Sequence, residues 1–477
     1  MASSSLMIPF SLPSSKLQYQ NIKNPSLLRI SVIKSSLQVH EKYNQGLHIP
    51  KPLHLSPPRD HEIPADSPKQ DIHERWQEIH GSNHWQGLLN PLHPWLQREI
   101  IKYGELAQAT YDAFDFDCFS HYCGSCRYSP SRLFQKLGLT RCGYKVTKYL
   151  YAMSHVDLPH LLNRSLTGNK WSRDSNWMGY VAVSDDNESQ RIGRRDVIVA
   201  WRGTVTPLEW VENIQERLES IEQHDVDVKV EHGFLSIFRS KSEATRYNKS
   251  SACEQAMREI ERVVSFHRER GEGVSLTITG HSLGGALALL NAYEAAISQL
   301  DIPIAVFSFA APRVGNTAFR DRLKHLGAKT LRVVIKQDVV PKMPGLVFNE
   351  GMKKFEEITG SLQWMYTHLG EELSLDVSSS PFLKHGWNPI GFHSLETYLH
   401  LVDGYSSQNE PFSHAAKRDI ALVNKACNMV VDELRIPPCW HQFANKGLVQ
   451  NSYGRWVHPE RDVEDIPCPL GSNLSYT

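Results

Sequence analysis

The sequence predicts an α/β fold, with a mostly parallel central sheet flanked by helices on both faces. Short apolar or alternating runs bounded by Asn, Asp and Gly alternate with helix-like stretches from Trp177 onward, in the β-α-β-α-β order that builds parallel sheets. A glycine-flanked turn, Gly280 to Gly284, joins one such run to the next helical stretch. The composition, 40% apolar and 22% charged over 477 residues, is that of a globular chain with a sizeable core.

In chain order, residues 1–45 are expected to lie outside that fold. Met1 to His40 holds no Asp or Glu, carries Lys16, Lys23, Arg29 and Lys34, and is rich in serine. This is the composition of an organelle transit peptide, and without early arginines it points to the chloroplast. The Pro-rich stretch 46–70 reads as an extended linker. Residues 71–170 are expected to be mainly helical, with Leu96, Ile100, Ile101, Tyr103 and Leu106 on one face. The α/β core is expected over 171–435, and 436–477 is left as a C-terminal tail. Within the core, strands are predicted at Trp177–Val183, Val197–Trp201, Val274–Thr279, Ile304–Ala310 and Thr330–Ile335. Helices are predicted at Pro207–Leu218, Ala256–Phe266, Leu283–Ile297 and Thr317–His325.

Several function classes are excluded early. Lys+Arg and Asp+Glu are equal at 52 each, so no basic excess marks a nucleic-acid binder. No run of 18 or more apolar residues suggests a transmembrane anchor. The cysteines Cys118, Cys123, Cys126, Cys142, Cys253, Cys427, Cys439 and Cys468 are too sparse for a disulfide framework. Cys118, Cys123 and Cys126 copy a ferredoxin-type spacing, but Phe119, Ser120, His121 and Tyr122 make a poor cluster loop, so a structural role or a redox-sensitive Cys123/Cys126 pair is expected. No histidine spacing suggests zinc.

Gly280-His281-Ser282-Leu283-Gly284, followed by Gly285, is a G-x-S-x-G match between a predicted strand and a predicted helix. A nucleophile on so sharp a turn needs minimal residues two before and two after it, and the turn lifts its hydroxyl above the sheet. Ser282 is therefore the candidate nucleophile, with the Leu283 N–H facing a developing oxyanion. The chain order Ser, acid, His of α/β-hydrolases places the partners later. Asp338 follows the strand Thr330–Ile335 at the carboxyl edge of the sheet, where catalytic groups collect, whereas Asp321 sits mid-helix beside arginines. Among His368, His385, His393, His400 and His414, His393 stands at the entrance of an amphipathic helix from Ser394 to Val402, and His385 is the runner-up. His400 lies within that helix as a structural side chain. Thr204, just past Val197–Trp201, is the candidate second oxyanion donor; such a donor is typically worth about 3–4 kcal/mol of transition-state stabilisation. The helix Pro207–Leu218 is apolar enough for a lid or for core.

These motifs together resemble the fungal-lipase-like class 3 lipases, and more closely the plant class-I phospholipase A1 enzymes of the plastid, gamma group. The resemblance runs from about Trp76 to Asp462 through Ala200-Trp201-Arg202-Gly203-Thr204, Gly280–Gly285, Ala311-Pro312-Arg313-Val314-Gly315-Asn316, Asp338-Val339-Val340-Pro341 and His393. It implies an α/β-hydrolase, with no metal or cofactor, in which Ser282, Asp338 and His393 are catalytic and Thr204 and Leu283 form the oxyanion hole. It further implies release of the sn-1 fatty acid from phosphatidylcholine, and in some members from galactolipids or triacylglycerol, at a membrane or lipid-droplet surface. Ser394 where Asn is expected and Ala311 where Gly is usual are the departures. An acyltransferase using the same acyl-enzyme and a non-catalytic lipase-like scaffold are the competing functions.

Overall fold

The computed structural model describes residues 72–467 apart from 118, 154–174, 205–216, 223–224, 345–365, 408–409, 414–416 and 443. The expected transit peptide, the linker and most of the helix at Pro207–Leu218 lie outside the described residues. Leu218 itself opens a short strand, Leu218–Ser220, instead of closing a helix.

Seven strands form the central sheet, here β1 (Tyr144–Met153), β2 (Ser175–Ser184), β3 (Arg195–Trp201), β4 (Val274–His281), β5 (Ile304–Phe309), β6 (Lys329–Ile335) and β7 (Glu371–Leu375), hydrogen-bonded in that order. β3 to β7 are parallel to one another, while β2 runs antiparallel to both of its neighbours. β3 and β4 pair from Arg195 opposite Val274 to Trp201 opposite Gly280, so both strands end at the same edge. That edge carries the site.

Helices cover both faces, as the nearly unbroken apolar run of β3 requires. On one face lie α1 (Pro94–Asp112) and α5 (Leu395–Gly404), whose Tyr103, Leu106, Tyr398 and Leu399 pack with Ile198, Ala200, Phe307 and Phe309. On the other lie α2 (Ala252–Arg268) and α3 (Leu283–Ile297), whose Val263, Leu287 and Leu290 meet Val197, Val199, Trp201 and Ile278. The Ser251 side chain accepts from the Glu254 N–H while the Glu254 side chain reaches back to the Ser251 N–H, a reciprocal cap that starts α2. α4 (Thr317–His325) begins at Asn316, whose side chain accepts from the Phe319 N–H.

In the described part of 71–170, the expected helices are joined by a ten-residue strand, β1, that the sequence reading did not include. β7 and a small four-stranded sheet (Leu218–Ser220, Lys229–Glu231, Gly315–Asn316 and Tyr366–Thr367) also go beyond the sequence reading.

Two polar devices tie distant parts together. Buried Asp196 on β3 accepts from the hydroxyls of Tyr103 (2.8 Å) and Tyr144 (2.7 Å) on one oxygen, and from those of Ser275 (2.9 Å) and Thr277 (2.7 Å) on the other. Four donors satisfy a carboxylate that burial alone would penalise. Near the far end of the chain, Arg461 donates to Asp115 (2.7 Å), Ser125 (2.9 Å) and the Cys126 carbonyl (2.8 Å), and Asp465 accepts from the Ser129 N–H (2.7 Å) and pairs with Arg132 (3.1 Å). This strap holds the loop that follows α1.

Candidate active site

Ser282 sits between the last residue of β4 and the first of α3, at φ 59° and ψ −128°. A side chain rarely adopts this positive φ, so the position is strained and must be held by its surroundings. The Ser282 N–H donates to the Phe309 carbonyl at 2.9 Å, which ties the turn to β5. Its glycines are forced by close approach. A Cβ on Gly280 would lie 2.2 Å from the Gly284 carbonyl oxygen, and one on Gly284 would lie 2.2 Å from that of Trp201. Strand, turn and helix therefore pack without room for a methyl group.

Asp338 lies just past β6, its N–H bonded to the Ile335 carbonyl at 3.0 Å. One carboxylate oxygen accepts from the Val340 N–H (2.9 Å); the other accepts from His393 Nδ1 and from the Tyr398 hydroxyl, both at 2.7 Å. His393 follows a short helix, Pro389–Phe392, and precedes Ser394, the N-cap of α5. Because Nδ1 faces the Asp338 carboxylate, Nε2 is the ring nitrogen left on the other side.

The structure thus joins Asp338 and His393 directly. Ser282 comes beside them through its neighbour: His281 Nε2 donates to the His393 carbonyl at 2.9 Å, and the two imidazole rings lie 4.7 Å apart. Since Nε2 carries that proton, His281 Nδ1 accepts from the Tyr111 hydroxyl at 2.8 Å. Burial, and then the proximity of His393, hold the His281 imidazole well below its ordinary pKa, so it stays neutral.

Thr204 follows a residue whose backbone runs past Ser282, and Leu283 follows Ser282 in the chain. A Cβ on Gly203, the residue before Thr204, would stand 3.2 Å from Ser282 Cβ. Leu283 is the first residue of α3, so its N–H has no acceptor within the helix. Among the described residues Ser282 Oγ, His393 Nε2 and Thr204 Oγ1 are buried side-chain atoms that lack a hydrogen-bond partner. Buried polar groups are normally paired, so such a concentration at one strand edge marks a site built to receive something.

The other sequence candidates stand elsewhere. Asp321 is exposed and paired with Arg320 at 2.8 Å, and His385 is exposed. His400 is buried and shares a 2.9 Å hydrogen bond with Ser380. His368 lies between Arg332 and Arg313, and burial together with those two cations pushes its pKa down to about 3. His414 and Cys118 lie outside the described residues. The Cys126 thiol donates to Tyr149, and burial pushes its pKa up to about 12, which makes it a core group instead of a reactive thiol. No cluster of potential metal ligands occurs among the described residues.

Four residues around the site were not singled out by sequence reasoning. His281 is the unspecified position of the turn motif, and Tyr398 reads as one more apolar-face residue of a helix. Tyr111 and Arg202 gain their partners only when segments far apart in the chain meet.

Residues 198–348 match the family model described as Lipase (class 3). Phospholipase A1-Igamma1, chloroplastic, of Arabidopsis thaliana is 46% identical over 406 residues, covering 82% of this chain and 79% of that protein. Phospholipase A1-II 6 of Oryza sativa subsp. japonica is 37% identical over 413 residues, covering 82% and 96% respectively. Among solved structures, a lipase from Rhizopus microsporus var. chinensis is 20% identical with a TM-score of 0.36, covering 54% of this chain and 72% of that one.

Proposed function

The chain belongs to the class 3 lipase family, in its plant phospholipase A1 branch, and from that membership we propose how its site hydrolyses lipid acyl esters. Ser282 Oγ attacks the ester carbonyl carbon while His393 Nε2 takes the hydroxyl proton. Asp338 holds the ring in the required tautomer and stabilises the imidazolium that forms. The oxyanion of the tetrahedral intermediate is received by the N–H groups of Thr204 and Leu283 and by the Thr204 hydroxyl. Collapse returns the proton from His393 to the departing glycerol oxygen and leaves the acyl group on Ser282. Water then repeats the sequence and frees the fatty acid.

The observation that carries this reading is the 2.7 Å bond from His393 to a buried Asp338, together with the His393 Nε2 atom and the Ser282 hydroxyl, both buried and both without a partner among the described residues. The substrate proposed is the sn-1 ester of phosphatidylcholine, with galactolipids and triacylglycerol as further substrates. Location in the chloroplast is supported by the acid-free N-terminus and by the names of the relatives.

Peripheral contact with a lipid surface is supported by two exposed apolar pairs. Trp387 and Ile390, 75% and 58% exposed, stand just before His393; Phe116 and Phe119, 61% and 79% exposed, follow the helix that carries Tyr111. Among the described residues no helix is long and apolar enough to cross a membrane. Incubating the purified protein with dispersed phosphatidylcholine, mono- and digalactosyldiacylglycerol and triacylglycerol, with positional analysis of the products, tests the reading. Ser282→Ala should fold and lose essentially all fatty-acid release. Wild-type rates from that variant would remove the assignment, and transfer of the acyl group to an added alcohol in preference to water would make the protein an acyltransferase.

A further inference from the structure

Three arginines are buried among the described residues, and two of them meet a carboxylate: Arg194 approaches Asp196 at 3.9 Å and Arg332 pairs with Glu372 at 2.6 Å. Arg202 has none among the described residues. Its guanidinium donates to the carbonyls of Trp177 (3.0 Å) and Gly203 (2.8 Å), approaches the sulfur of Met178 at 3.3 Å, and lies 3.7 Å above the ring of Phe114. Burial pulls its pKa down to about 10, which still leaves it charged near neutral pH. A cation taken out of water without a counter-ion is costly, and the Phe114 ring face offsets only part of that cost. Joining the ends of β2 and β3 could be done by an uncharged side chain. The charge calls for another use.

Its place suggests one. Arg202 bonds to the carbonyl of Gly203, and the other end of that peptide unit is the N–H of Thr204. A trans peptide is planar, with C=O and N–H pointing in opposite directions. A donor fixed on the carbonyl side therefore aims the N–H away from itself. The backbone at Gly203 runs past the nucleophile, since a Cβ there would stand 3.2 Å from Ser282 Cβ and 2.6 Å from the His281 carbonyl oxygen. A charged donor on the carbonyl also draws electron density through the amide, which strengthens the N–H as a donor.

We propose that Arg202 is a positioning residue that aims and polarises the Thr204 N–H toward the oxyanion, an inference that rests on the proposed role of Thr204 in receiving that oxyanion. The buried positive charge then acts where negative charge appears during the reaction, in surroundings that screen it little.

The test compares full-length wild type, Arg202→Lys and Arg202→Gln on 4-nitrophenyl butyrate. Active sites are counted with an alkyl fluorophosphonate, and butylboronic acid serves as a mimic of the tetrahedral anion. Arg202→Gln should lower kcat per titrated site by about 10- to 100-fold, less than the loss of a whole donor, with KM within about twofold. The inhibition constant of the boronate should rise by a similar factor. Arg202→Lys, which keeps the charge without the planar fork, should fall between, and it decides the matter if Arg202→Gln does not fold. A purely structural role would give fewer titratable sites and a lower melting temperature, with kcat per site and boronate affinity unchanged; that result overturns the proposal. Ser282→Ala, run alongside, separates the two levels. If it still hydrolyses ester, the reading of the site fails; if it is inactive while both Arg202 variants match wild type per site, only the role of Arg202 fails.

Discussion

His281 shows how a residue next to the nucleophile can matter without touching substrate. Its ring bridges the Tyr111 hydroxyl on α1 and the backbone carbonyl of His393, so it fixes the position of that residue from behind. Tyr111→Phe removes the donor and leaves a buried ring nitrogen unpaired. We expect this to destabilise the protein by about 1–3 kcal/mol in urea unfolding, and to lower kcat more than KM. A variant as stable as wild type would show that the bond contributes nothing. At this scale the tight turn that carries Ser282 and the pairing of Asp338 with His393 were legible in the sequence, because turn chemistry and strand topology constrain where such groups stand. Tyr111 could not, because it lies 170 positions from the histidine it serves, and nothing local marks a tyrosine for burial against an imidazole.

Packing between elements was legible where one period ran undisturbed. α3 and α4 were delimited to the residue, since apolar spacing and small residues leave one helical reading. β1 was mistaken for part of a helical segment. Its pairing with β2 shifts register between Val146 and Lys148 and again between Leu150 and Tyr151, and each irregularity moves the inward-facing positions, so the alternation of a strand is interrupted. β7 is a short edge strand that opens with Glu371 and Glu372, a pattern with little apolar signal. Helix docking yields a further expectation. A Cβ on Gly104 of α1 would fall 2.3 Å from Leu399 of α5 and 3.1 Å from Phe309 of β5. Alanine should favour an isolated helix by about 1 kcal/mol over glycine. Here Gly104→Ala should instead cost about 1–3 kcal/mol, because two buried side chains must move. Chemical denaturation checks the sign, and a stabilised variant would mean the interface gives way freely.

For the whole molecule, buried histidines set the response to acid. Burial, reinforced by the nearby Arg418 cation, pushes the His400 pKa down to about 4, and His80 is likewise pushed to about 4 by burial and Arg194. In the unfolded chain a histidine takes up its proton near pH 6.5. Between those values the unfolded state binds protons that the folded state does not. The stability is therefore complete above pH 6.5 and is lost as the pH falls toward 4, by about 1.4 kcal/mol per pH unit for each such group. Urea midpoints measured across that window should fall steeply for wild type, and His400→Gln should flatten the slope by about one proton. An unchanged slope would place the acid response elsewhere. The strap formed by Arg461 and Asp465 has a consequence of a different kind. Its anchors at Asp115, Ser125, Ser129 and Arg132 are translated more than three hundred residues earlier. During synthesis, the loop that follows α1 waits without its clasp until Arg461 and Asp465 have been made, whereas the last strand of the central sheet is complete at Leu375.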